Sequence, residues 1–156
     1  MSEISEKFEN IIMIPCSGSE YHGELARQVA IHLAEKSKIS TITSMSCSTI
    51  FLKNVLLEKD RLVEITKNHL RHSLIVLING CKTVCASVIY KHLEIVPDLV
   101  ISVQDIIPKQ SMNLNDLNAF KNTLKLSKIK AEDIDRVENY VLNELKKLGL
   151  DIDNLN

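Results

Sequence analysis

Cys16, Cys47, Cys81 and Cys85 are the four cysteines of this 156-residue chain, and each stands where a short apolar run gives way to a turn or a helix start. Cysteine thiolates ligate soft metals, attack electrophiles and cycle through disulfides. Cys81 and Cys85 are four residues apart, so on a helix they share one face, one turn apart. If the apolar runs are parallel strands, their carboxyl ends lie along one edge of a sheet, the edge where open α/β folds bind ligands. All four sulfurs can meet there, beside helix starts whose dipoles favour thiolate. Four thiolates around one ion is the closed arrangement of structural zinc, with Zn–S distances of about 2.3 Å. An iron–sulfur cluster also takes four cysteines. The ligands are spread over about seventy residues, which matches the short runs typical of neither. A third chemistry is thiol redox or sulfur transfer through Cys81 and Cys85, whose spacing is one residue longer than the usual redox pair. Any one of these cysteines alone would read as a small buried hydrophobe. Four at the same kind of junction would not.

Other residues carry weaker signals. The loop Cys16-Ser17-Gly18-Ser19 before a helix could cradle an anion with backbone N–H groups. It invites comparison with the phosphate loop of low-molecular-weight tyrosine phosphatases and arsenate reductases, but position 22 is His22 rather than arginine, so bidentate clamping of an oxyanion is lost. His22 could serve as a further polar group near a metal, a replacement ligand or a proton carrier. Its structural alternative is a surface residue capping a helix start. His32, His69, His72 and His92 have no ligand spacing to one another and read as solvated. Tyr21 reads as half-buried, and Glu24 and Arg27 as an exposed helix face. Asp133, Asp135 and Glu138 complement the dipole of a last helix. There is no Walker loop, dinucleotide fingerprint or nucleophile elbow, and glycine is scarce.

The elements that must position the cysteines follow from hydrophobic period. Residues 11–14 read as a buried strand ended by Pro15. A helix over 22–38 carries Leu25, Ala26, Val29, Ala30 and Leu33 on one face. Residues 41–45 alternate, as an edge strand does, and 48–71 read as helical. Residues 74–78 are continuously apolar, which suits a strand covered on both faces. A short helix over 82–92 and a fourth strand over 99–103 follow. After the Asn-rich stretch 111–118 come a helical piece near 117–126 and a last helix over 131–148, with Ile134, Val137, Val141, Leu145 and Leu148 in one stripe. Strands alternating with helices imply right-handed crossovers in a parallel sheet. The predicted fold is α/β, a three-layer, Rossmann-like open parallel sheet of about four strands with flanking helices and a C-terminal helix. Residues 1–156 read as one domain, with a core over about 11–108 and a helical segment over about 113–148 packed on it.

Composition narrows the function classes. A hydrophobic fraction of 45%, a charged fraction of 25% and a net charge of -1 are ordinary for a globular protein. No basic stripe and no Trp point to nucleic acid. No apolar run approaches a membrane span, and residues 1–10 lack the pattern of a secretory signal. These features predict a cytoplasmic protein whose thiols stay reduced, so the cysteines read as ligands or redox groups. They leave open a protein partner, and whether the protein is an enzyme.

Ile14-Pro15-Cys16-Ser17-Gly18, the helix Gly23-Glu24-Leu25-Ala26-Arg27-Gln28, and Asn79-Gly80-Cys81-Lys82-Thr83-Val84-Cys85-Ala86 resemble the DGC-domain family, over about 11–103 with a looser match to the last helix. That family is named for an Asp-Gly-Cys motif and is associated with zinc. The resemblance implies that Cys16, Cys47, Cys81 and Cys85 are zinc ligands; His22 and Asn79, from their positions beside the cysteines in sequence, are candidates for the surrounding layer of polar contacts. It implies a metal site, not a reaction. The chain departs from the family at Asn79, where an amide replaces the motif's aspartate and cannot act as a base or add negative charge. The segment around Cys47, Ser-Met-Ser-Cys-Ser-Thr, is also more polar than the family's.

Overall fold

A computed structural model describes residues 10–16, 20–38, 40–42, 72–92, 94–108 and 128–150. The apolar runs become strands β1 (Asn10–Pro15), β2 (Ser40–Ile42), β3 (Ser73–Asn79) and β4 (Leu99–Ser102). All pair in parallel, in the order β2-β1-β3-β4. The predicted α/β fold is therefore what the chain adopts. β3 is buried along its whole length, as its unbroken apolar sequence requires of a central strand. β2 lies at one edge, where its alternation placed it. The predicted elements at 48–71 and 117–126, and Cys47, lie outside the described residues.

Helix α1 (Tyr21–Lys36) follows β1, α2 (Cys85–His92) follows β3, and α3 (Val103–Ile106) directly continues β4. The last described helix is α4 (Ala131–Lys147). Strand alternation sorts the core into two layers. Ile11, Met13, Leu74, Val76, Ile78 and Ile101 face α1 and α4, meeting Leu25, Val29, Leu33, Val137, Val141 and Leu145. Ile12, Ile14, Ile75 and Leu77 face the other way, onto Ala86, Tyr90 and Ile95. Each such side chain taken out of water contributes about 1.5–3 kcal/mol.

α4 ends in a Schellman motif. Gly149, at φ 80°, takes the left-handed conformation that glycine adopts without penalty. Its N–H donates to the Lys146 carbonyl at 2.9 Å and that of Leu150 to the Leu145 carbonyl at 3.0 Å, while Leu150 is buried. Glu138 was expected to serve the dipole of α4. It is instead buried between α1 and α4, paired with Lys36 and lying 3.8 Å from His32 Nδ1. His32 thus has a partner although it is exposed. Among the described residues, no helix is long and apolar enough to cross a membrane.

Candidate functional site

The strand order reverses direction between β1 and β3. The chain steps outward from β1 to β2, then returns to the other side of β1. Such a switch point opens a crevice beyond the carboxyl ends of the two strands. Cys16 and Cys81 stand at its two sides.

Each of the three described cysteines is placed by a local device. The Cys16 N–H carries the parallel β1–β3 ladder one step past Pro15, donating to the Ile78 carbonyl at 2.8 Å. This pins Cys16 beside the end of β3. Gly80 then passes against the start of α1. A Cβ there would lie 2.6 Å from Gly23 Cα, 2.7 Å from Gly23 N and 2.9 Å from the His22 carbonyl carbon. Only glycine fits, and Cys81 emerges directly from that contact. A turn follows, closed by the Val84 N–H donating to the Cys81 carbonyl at 3.1 Å. Val84 sits at φ 46°, a strained conformation for a β-branched residue. Its carbonyl accepts from Val88 N–H, and Cys85 opens α2.

Asn79 does not approach this end as a base. Its Oδ1 accepts the Ser87 N–H at 3.3 Å and its Nδ2 donates to Ser87 Oγ at 2.7 Å. Ser87 is the third residue of α2, whose N–H has no partner within the helix. Asn79 therefore caps α2 from the end of β3, tying the Cys81 strand to the Cys85 helix. Ser87 carries no motif of its own, and its role comes to light only through this contact.

Cys16, Cys81 and Cys85 are thiols, the first two buried and the third half-buried. Burial pushes the Cys85 thiol above its ordinary value, and the neighbouring Cys16 and Cys81 push it further. Sequence reasoning expected the helix start to lower it. The favourable backbone hydrogen bond at Cys85 is the smallest contribution and loses to burial and to the like charge of two nearby sulfurs. Cys16 and Cys81 therefore lie near enough to Cys85 to oppose its ionisation. Cys47 lies outside the described residues. Among the described residues, no three His, Cys, Asp or Glu side chains form a ready metal cage. In donor chemistry the trio suits a soft or borderline cation, for which cysteine sulfur is a preferred ligand.

His22 is fully buried rather than a surface cap. Its Nε2 donates to the Ile107 carbonyl at 2.9 Å, and its Nδ1 stands 3.3 Å from Glu20 Oε2. The cap of α1 is Glu20, whose other oxygen accepts the Gly23 N–H at 3.1 Å. His22 thus anchors the start of α1 and reaches the cysteines through backbone, where Gly80 rests on it. Glutamate is not a favoured cap, so sequence gave no warning. Tyr21 is buried too, donating to Asp133 Oδ2 and accepting the Lys130 N–H at 3.3 Å. Asp133 consequently joins α1 to α4 in addition to complementing a dipole. Glu24 and Arg27 form the expected exposed pair, at 2.6 and 2.8 Å.

A family model described as the DGC domain matches residues 12–141. No curated protein and no solved structure matches the chain.

Proposed function

The chain belongs to the DGC-domain family, and from that premise we propose that it is a small cytoplasmic protein holding one zinc ion through Cys16, Cys47, Cys81 and Cys85. The observation that supports this best is the approach of three thiols from separate elements to one switch point, each set there by its own backbone device. A bound zinc ion supplies positive charge that offsets the repulsion among thiolates and ties their elements together. The chain's own residues do the rest. Gly80 brings Cys81 against α1, Asn79 sets α2 and hence Cys85, and the bond from Cys16 to Ile78 fixes the β1 side. Of the described thiols, half-buried Cys85 is the most open to solvent, so it would be the ligand that faces a protein partner. A metal-free redox enzyme with Cys85 as its nucleophile fits less well, because such a thiol needs to be lowered and burial raises Cys85.

Elemental analysis of protein purified without oxygen tests the assignment. About one zinc per chain is expected, falling to near zero in Cys81→Ser and Cys85→Ser while helix content is largely kept. Metal-free protein with every thiol reduced would sink it. Iron with acid-labile sulfide would replace zinc by a cluster.

A further inference from the structure

Two clefts flank β4, and Val100 lines both. One, of about 510 Å³, runs between β4 with α3 and the exposed side of α4. The other, of about 450 Å³, lies on the α2 side and includes Leu77 and Val96. Among the described residues β4 pairs with β3 alone, so its outer edge faces away from the sheet between the two clefts. Val100 is 50% exposed and Val96 85%, leaving apolar shoulders along that edge.

α4 turns a stripe of Arg136, Asn139, Tyr140 and Asn143 toward the larger cleft. Seven residues of helix rise about 10 Å, the length of about three residues of extended chain. The start of α4 meets the start of α1 through Tyr21 and Asp133, so Arg136 is the end of the stripe nearest the carboxyl edge of the sheet. Glu132, one helical turn before Arg136 and well placed to pair with it, bonds Lys130 at 3.2 Å instead. Asp105 lines the same cleft, yet it makes no ion pair with Arg136. The guanidinium therefore has no carboxylate partner among the described residues.

We propose that this cleft binds the last residues of an extended peptide, its backbone added to the outer edge of β4 and its terminal carboxylate held by Arg136. An edge strand beside a helix is the geometry of peptide strand addition, and guanidinium matches carboxylate as a planar fork. The Asn139 and Asn143 carboxamides each donate and accept, as a peptide backbone does. Val100 and Tyr140 supply apolar contact for side chains. Asp105 on the same cleft opposes anions in general, so it limits the ligand to the single negative charge that Arg136 can pair. The cleft's volume is that of an ordinary ligand site. None of this uses the cysteines, so it stands or falls apart from zinc.

An array of random hexapeptides with free carboxyl termini, and the same array amidated, tests it on the full chain. Binding of a subset of free-acid peptides is expected, weakened roughly 10- to 100-fold by amidation and similarly by Arg136→Gln, as for loss of a charge-assisted hydrogen bond. Amidation changes only the ligand, so a folding defect cannot mimic it. Equal binding of both arrays, no binding at 1 mM peptide, or occupation of the cleft by a second copy of the chain (a dimer on size exclusion that Arg136→Gln dissolves) would each overturn the proposal.

Discussion

Helices α4 and α2 are held to the same sheet by opposite means. α4 lays an unbroken apolar stripe, Ile134, Val137, Val141 and Leu145, on the α1 face and closes with a Schellman turn. α2 is half as long, buries only Ala86 and Tyr90, leaves Val88 46% exposed, and begins at a strained valine. What fixes α2 is polar and remote: the Asn79 amide on Ser87. Packing secures a helix wherever a stripe can slide into place. A directional clamp fixes its end, and the end of α2 is where Cys85 sits. The helix with less core is the one whose placement matters to the thiol site.

The contrast can be broken at either helix. Leu145→Ala, at a fully buried site on α4, is expected to cost about 2–5 kcal/mol in urea unfolding. A loss well under 1 kcal/mol would show that α4 is not held by its core. Gly80→Ala forces a Cβ onto the backbone of α1 and should cost about 1–3 kcal/mol, with loss of zinc from the purified protein. Asn79→Ala removes the cap of α2, for about 0.5–2 kcal/mol, and weakens zinc binding about 10- to 100-fold. Asn79→Asp should stay within about 0.5 kcal/mol of the parent, because a carboxylate accepts from both the N–H and the hydroxyl of Ser87. A competition titration with a zinc chelator separates the two variants. Val84→Gly relieves the left-handed strain against glycine's own entropy, for a net gain of up to about 1 kcal/mol in thermal unfolding.

The smallest effect concerns pH. The Cys85 thiol is raised in the folded chain, so between the unfolded and folded values the native state holds more protons. Its contribution is intact below the ordinary thiol value of about 8.5 and is lost as pH climbs through the raised one. Metal-free protein should therefore weaken with rising pH over that window, and Cys85→Ser should flatten the slope. Zinc affinity should move the other way, since binding displaces protons from the thiols.

Much of the fold was legible because it depends on neighbours in sequence. The run 74–78 announces a central strand, and the spacing of Leu25, Val29 and Leu33 announces the buried face of α1. The placement of Cys16, Cys81 and Cys85 after β1, after β3 and at a helix start was legible for the same reason. What was not legible depends on distant partners. His22 looks like a surface cap until the Ile107 carbonyl, 85 residues away, is brought onto its ring. Glu138 looks like a complement to the dipole of α4 until Lys36 arrives from α1. Asn79 looks like a lost carboxylate until Ser87 shows that an amide serves there. The Cys85 thiol was misjudged because helix position is local, whereas the two sulfurs that oppose its ionisation are brought beside it by the fold.

The strand order also sets events in time. β1 is made early and can pair with β2 as soon as residue 42 is available, but its inner neighbour β3 is made some thirty residues later. Until then one edge of the central strand waits without its partner, exposed to whatever else could pair with it during synthesis. The bond from Cys16 to Ile78 cannot form before β3 docks, and Cys81 and Cys85 are made only after β3. Cys16, Cys81 and Cys85 can become neighbours only in that late step, when β3 comes to lie beside β1.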